Sequence, residues 1–518
     1  MPDVCGAGKL ALGMSTCPSC MASTAHMAFD LENLMYPKSN PHRCLLCLVL
    51  LGAWQAFGLA HAAGGIATDG TVGGPAALGH PQDLRGSKLT IPEDLGSRAG
   101  ANLFHSFKDF NVQTGQTVTF TEKTPGSLDN VISRVTGSSA SDIDGTLRST
   151  PKGHADFYLI NPNGVTFGPK AQVDVPAAFH VSTADEVKFK DGGKFSAVDP
   201  AASTLSSAAP AAFGFLGTSK ANNGLLKVDG AQLAAKSGQT LDGVAGNIQL
   251  ENGATLSSDA GEIRLVATQG QGTVSLERTD HDHLPLPEQS LTGTNGGEIA
   301  IQQAAITTAG NGGGRIAMWS KHNALKDSVM SADNHGDLDA TPAKGIEIRA
   351  NAMSVDNTAI HFDSLGTGST SAGTVSIGIS DALIMNAAGT ISNSSYGTGN
   401  SGDVNVKAGQ ITIDGQGFSS GMTGIFSLAE AGSSGAAGTV SVKSDGTIRI
   451  LEHGSLASAT LGLGNGGNVI ISANKLFIDG RENGFYLLPD GALRITGIST
   501  GSLGSGNAGN IDIDSGIY

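Results

Sequence analysis

Ser371-Ala-Gly-Thr-Val-Ser-Ile377, SAGTVSI, decides how this chain is read, because close variants of it return as NSGDVNV from Asn400, AAGTVSV from Ala436, NGGNVII from Asn465 and NAGNIDI from Asn507. Their shared glycines, Gly373, Gly402, Gly438, Gly467 and Gly509, are separated by 29, 36, 29 and 42 residues. A second phrase often follows, as in GQITIDG, GTIRILEHGSLAS and NKLFIDG. A phrase that persists while its spacing varies is the mark of a solenoid, in which loops of different length leave one corner of a repeated coil. Glycine permits the corner, and the valines and isoleucines that follow stack inward on those of neighbouring coils. Val375, Val404, Val440, Val469 and Ile511, each two residues after its glycine, should share one inward face.

Upstream, short alternating stretches dominate from Gly64 onward: QTVTFTEK, ADFYLI, GNIQLE, GEIRLVA, GTVSLE, GRIAMWS and IEIRA. This is the period of half-buried strands. The reading is an all-β parallel β-helix; an antiparallel sandwich competes but does not explain the returning phrase. With roughly 20 to 25 residues per coil and rungs about 4.8 Å apart, the rod is on the order of 100 Å long. An exposed solenoid end invites association and needs a cap. The segment 103–120 is the expected cap, with Leu103, Phe104, Phe107 and Phe110 packing over the apolar end and a short helical turn near 101–107. At the other end the chain stops just after restarting a repeat, which reads as a truncated product or a short member of its class.

Pro41-His42-Arg43 leads into the apolar run CLLCLVLLGAWQAFGLAHA, which ends in Ala60-His61-Ala62. A basic flank, an apolar core and a small-residue exit make a signal peptide, with cleavage near residue 63. The run is broken by Gly52, Gln55 and Gly58, too soon for a membrane helix. Residues 1–62 are therefore read as an extended signal, with Met27 and Met35 as alternative starts. All five cysteines, Cys5, Cys17, Cys20, Cys44 and Cys47, precede the cleavage point. The single CxxC of Cys17 and Cys20 is weak evidence for zinc. The exported chain is thus expected to lack disulfides and to stay unfoldable while it crosses membranes.

Lysine plus arginine number 31 against 46 acidic residues, a net charge of -15. That balance excludes a nucleic-acid binder and disfavours adhesion to anionic lipid. No cofactor motif is present: there is no HExxH, P-loop or phosphate-binding glycine loop. His281 and His283 with Asp280 and Asp282 offer nitrogen and oxygen ligands, but Pro285 and Pro287 mark a protruding loop, and no metal site is assigned. Asp142, Asp144 and Arg148 are the nearest approach to the carboxylates and arginine of a β-helix polysaccharide lyase or hydrolase.

The most sharply punctuated turn is YLINPNGVTFG, from Tyr158 to Gly168. Pro162 fixes one backbone angle, Gly164 accepts a positive one, and Asn161 and Asn163 satisfy local amides. Together with NLFHSFKDFNVQTGQTVTF from Asn102, NVISRVTGSSASDIDGTL from Asn130 and AAPAAFGFL from Ala208, this stretch closely resembles the secretion domain of filamentous haemagglutinin-like exoproteins of two-partner secretion. The resemblance covers about residues 64–310. It implies a right-handed single-stranded parallel β-helix with an N-terminal cap. It also implies export across the inner membrane and then through an outer-membrane barrel transporter with periplasmic docking domains. The family's secretion motif falls on Asn161, Pro162, Asn163 and Gly164. Its companion motif has no literal match, the nearest segment being 130–136. The division expected is a secretion domain over 63–310 and adhesin-like repeats over 311–518, in a non-catalytic surface or secreted adhesin whose partner is a host or matrix protein or glycan. The alternatives are a secreted lyase or hydrolase, or a secretion-competent piece of a larger exoprotein or toxin. Whether the four motif residues shape a corner or touch the transporter stays open at this point.

Overall fold

The structure is a computed structural model that describes residues 65–516 except 152, 218–223, 288–294, 337–343, 367–371, 416–421, 481–484 and 488–492. The signal segment, its cleavage point and all the cysteines lie outside the described residues.

One unbroken column of side chains defines the right-handed parallel β-helix. Leu103 pairs with Val131, and the register then runs through Phe157, Phe179, Leu241, Ile263, Ile316 and Ile346. From Ile346 it continues through Val375, Val404, Val440 and Val469 to Ile511. The five residues expected to share a face do so, and the first four are fully buried. Ile511 is in register but 44% exposed, since no further described strand covers it. Every strand pairing in this ladder is parallel, which removes the antiparallel sandwich.

Each coil has three strand segments. In the first part the second segment is separate, as in Ser141–Ile143, Val165–Phe167, Leu225–Asp229, Asn247–Glu251 and Glu298–Gln302. From Arg315–Lys326 onward the first two segments fuse into one long strand that bends at a register shift, as between Ala350 and Met353 and between Ile379 and Ala382. The third segments form their own ladders, the later one running from Gln232–Ala234 to Gly497–Ser502. Rungs lie 22 residues apart between Phe157 and Phe179 but 29 between Ile346 and Val375 and 42 between Val469 and Ile511, so the later coils are longer than expected.

The corner glycines are required for a reason other than a special backbone angle. A Cβ on Gly402 would stand 1.9 Å from the carbonyl oxygen of Gly373, one on Gly438 2.3 Å from that of Gly402, one on Gly467 2.0 Å from that of Gly438, and one on Gly509 1.9 Å from that of Gly467. Backbone passes directly over backbone at this corner, so the phrase repeats because each coil needs the absence of a side chain on the next. Gly438→Ala should therefore cost about 1–3 kcal/mol through overpacking, read as a lowered denaturation midpoint in the purified protein. An alanine at Gly378, whose nearest neighbour is 4.0 Å away, should be nearly neutral in the same measurement.

The N-terminal end differs from the expectation. The stretch from Asn102 is no helical turn but the strand Asn102–Phe110, and it is the first coil's own rung. Leu103, Phe107 and Phe110 belong to the solenoid core, while Phe104 points out into a second apolar cluster. Leu103–Phe120 is thus under the cap rather than the cap itself. Antiparallel pairings supply the covering: Ile66–Thr68 on this strand and on Asp83–Leu84, and Ser97–Ala99 on Leu103's neighbourhood. His105 sits beneath them against Phe107 and Phe120, and burial pushes its imidazole down to about 3, so it packs as a neutral ring.

Two insertions leave from one corner, between residues 183 and 224 and between 270 and 297. Their strands Glu186–Phe189, Lys194–Ser196, Pro210–Leu216 and Gln271–Ser275 join into one four-stranded antiparallel sheet. It covers the outer face of the first coils, where Phe104, Ile132, Tyr158, Ile160, Val244 and Val266 meet Val187, Phe195 and Phe213.

Candidate functional site

The Asn161–Gly164 turn joins the strand Asp156–Ile160 to Val165–Phe167 and occupies the same corner from which, one coil later, the first insertion departs and returns. Its geometry is that of an Asx turn closed into a β-turn. Asn161 Oδ1 accepts the Asn163 amide at 3.0 Å, and the Gly164 amide donates to the Asn161 carbonyl at 3.0 Å. Asn161 Nδ2 donates to the Ser139 carbonyl and to Ser141 Oγ at 3.1 and 3.0 Å, and Asn163 Nδ2 donates to the Gly137 carbonyl at 2.9 Å. These bonds reach the preceding coil. The Asn161 amide donates upward to the Ser182 carbonyl at 2.9 Å, at the root of the insertion. Gly164 has φ +117°, and a Cβ there would lie 2.9 Å from the Leu225 carbonyl, on the strand by which the chain returns. Asn161, Pro162 and Gly164 are buried and Asn163 is half-buried. The turn therefore faces inward between coils, and its polar groups are used by the protein's own backbone.

Three polar anchors that sequence reading did not single out fasten the inserted sheet to this corner. Asn102 Nδ2 donates to the Ser206 and Ala208 carbonyls at 2.9 and 2.7 Å, and Asn130 Nδ2 donates to Asn102 Oδ1 at 2.8 Å. Arg134 is buried under the sheet and donates to Ser106 Oγ at 2.7 Å, to the Ser196 carbonyl at 2.6 Å and to Thr71 Oγ1 at 2.9 Å, with its guanidinium 3.9 Å from the Phe195 ring centroid. It thereby joins the cap, the first two coils and the insertion. Burial lowers its pKa to about 10, against the pull of Asp69, so it remains charged at neutral pH. The third anchor is Arg264 on Asp242, with Nε to Oδ1 at 2.8 Å and a terminal nitrogen to Oδ2 at 2.9 Å, both side chains 0% exposed. His180 Nδ1 lies 2.9 Å from the same carboxylate, and its ring stacks on Tyr158 at 4.3 Å. Arg264 also donates to the Ser275 and Pro285 carbonyls, so it ties down the second insertion. Burial acts to raise the Asp242 carboxyl, but Arg264 and His180 overcome it and hold it at about 2.

The family model described as a TPS secretion domain matches residues 65–318, a span that contains the cap, the motif corner, both insertions and all three anchors. Residues 65–318 are the TPS secretion domain of a two-partner secretion exoprotein. Its localisation follows: it is exported through the periplasm and across the outer membrane to the cell surface or beyond, as a secreted or surface adhesin of that family. Among solved structures, the HMW1 secretion domain from Haemophilus influenzae is similar at 17% identity, over 83% of this chain and 96% of that one, with a TM-score of 0.47. A filamentous hemagglutinin secretion domain is similar at 14% identity, over 77% and 93%, with a TM-score of 0.28. The assignment does not rest on these two likenesses. No curated protein matches the exoprotein.

The residues weighed for enzyme or metal chemistry are placed as follows. Arg148 is on a different ladder from Asp142 and pairs with Asp174 at 2.9 Å; Asp144 accepts from Thr114 and from the Lys170 amide. His281 and His283 stack with ring centroids 6.4 Å apart and line a cavity of about 440 Å³ together with Arg278, Arg315 and Lys344. Asp156, Glu262 and Asp282 line the same cavity, and Glu262 is ion-paired with both Arg278 and Arg315. Burial and then Arg315 lower the His283 pKa. A different cluster, Asp333 with His361 and Asp363, was not singled out because its members are 28 and 30 residues apart in sequence and meet only across neighbouring coils.

Proposed function

We propose that residues 63–310 are the part recognised by the periplasmic docking domains of an outer-membrane barrel transporter, and that residues 311–518 present adhesive coils to a host or matrix protein or glycan. The observation that carries this reading is the single in-register column from Leu103 to Ile511, which makes the secretion domain and the repeats one continuous solenoid. Each coil templates the next by backbone pairing alone, so a chain delivered unfolded from its N-terminus can fold progressively outside without a crosslink. The burial of Asn161 and Pro162 favours a motif that acts by shaping the corner that holds the insertion, leaving the insertion and cap as the surface offered to the transporter. A long regular surface with many polar loops suits adhesion by many weak contacts.

The test uses protein recovered from the medium, whose N-terminus should read near residue 63. Saturable binding to cells or matrix with no depolymerisation of acidic polysaccharides is the expected result. Turnover that disappears when one carboxylate is replaced would move the assignment to a lyase or hydrolase. Absence of both activities would confine the chain to a secretion-competent piece of a larger exoprotein.

A further inference from the structure

Asp333 follows the strand Val329–Ser331, and Asp363 follows Ala359–His361, which pairs with it in parallel, Ser331 opposite His361. The isolated bridge between Asn334 and Ser364 carries that register past both aspartates, so they stand one above the other on successive coils. His361 Nδ1 lies between them, 2.9 Å from Asp333 Oδ1 and 3.3 Å from Asp363 Oδ2. His335 brings Nε2 to 4.0 Å from Asp333 Oδ2. The two carboxylates are held in place by backbone amides: Asp363 N donates to Asp333 Oδ1, and Ser394 N donates to Asp363 Oδ1, each at 2.8 Å.

From these residues we propose a zinc-class divalent cation site in which Asp333, His361 and Asp363 are ligands and His335 completes the set, linking two neighbouring coils. Four ligands around a tetrahedral ion with bonds of about 2.0–2.1 Å stand about 3.3 Å apart; His361 Nδ1 already stands 2.9 and 3.3 Å from the two carboxylates, and the ligand atoms of the three residues all lie within 4.8 Å of one another. Two imidazoles with two carboxylates select a borderline ion over calcium or magnesium, which prefer oxygen alone. Among the described residues the ion pairs of both aspartates are with histidines, and Tyr396 and Glu430 stand nearby without adding a cation. Burial and then Asp363, Glu430 and Asp333 push the Tyr396 hydroxyl up to about 12, a measure of the negative field around the corner. His335 is half-exposed, leaving an approach from solvent. Such a bond would give the coils a crosslink that forms only after folding, in a chain with no cysteine after Cys47.

Calorimetry of the exported full chain with zinc chloride alone should give saturable binding of one ion per chain. Thermal unfolding should shift upward with zinc concentration. His361→Gln or His335→Ala should abolish or weaken binding, while replacing His281 and His283 should leave it unchanged. His335→Ala, at an exposed position, keeps the fold and covers the case in which His361→Gln does not fold. No saturable binding in the unmodified protein, or binding unaffected in His335→Ala and in every folded His361 variant, would overturn the site.

Discussion

Arg264→Ala should destabilise the secretion domain by about 3–5 kcal/mol, because it leaves the Asp242 carboxylate buried without its bidentate guanidinium partner. The Ser275 and Pro285 carbonyls lose their donor at the same time, so the second insertion should loosen first. Denaturant unfolding would show a lower midpoint, and proteolysis should cut within 270–297. Replacing both partners with apolar residues, Asp242→Leu with Arg264→Met, should recover most of the loss, since an ion pair removed whole leaves no buried charge. Equal damage from the single and double changes would assign the effect to packing. The same site sets an acid limit. The Asp242 carboxyl is held at about 2 in the folded chain, below an unfolded value of about 3.9. Its contribution is therefore complete above pH about 4 and lost as the pH falls through about 2. Stability measured from pH 5 downward should decline over that window, and Asp242→Asn should remove that part of the decline.

Asn161→Ala with Asn163→Ala should cut the extracellular yield sharply while leaving export into the periplasm intact. Asn161 alone links the Ser139 carbonyl, Ser141 Oγ and the Asn163 amide within a buried corner, and Asn163 adds the Gly137 carbonyl. At roughly 1 kcal/mol for each of these four bonds left unmet, the loss is on the order of 4 kcal/mol, concentrated where the first insertion is rooted. Because Asn163 is the more exposed, Asn163→Ala alone should be the milder change. Immunoblots of periplasm and medium measure both. A double variant secreted normally would remove the motif from the mechanism, and one that folds normally in vitro yet stays in the periplasm would favour direct contact with the transporter over a corner-shaping role.

The later coils were legible in detail. The inward places of Val375, Val404, Val440 and Val469 follow from period-two alternation and a fixed offset from a glycine, both local properties of the chain. The first coils were less so. In NVISRV and DFYLI nearly every residue is buried, since the outward side chains of these strands lie under a sheet made from strands between Glu186 and Ser275. Alternation carries no information when both faces are covered, and for that reason Arg134, Asp242 and Arg264 were not singled out from the sequence. Phe104 was assigned with Leu103, Phe107 and Phe110 to one apolar end because a helical turn would group them. In a strand it parts from them.

What the sequence determined by itself was the repeated coil: the recurring glycine phrase, the alternation that turns its branched residues inward and the local Asn161–Gly164 turn are all visible within a few positions, and the same pattern returns in every coil. Only the tertiary structure decided what stacks on what. Stacking brings Gly402 onto the Gly373 carbonyl, Asp333 beside His361, and the insertions back over the first coils as a lid. Those contacts depend on how many residues each loop spends before the chain rejoins its ladder, 22 in one coil and 62 in the next. No local pattern encodes that offset, because it is fixed by backbone pairing between rungs rather than by the residues that lie between them.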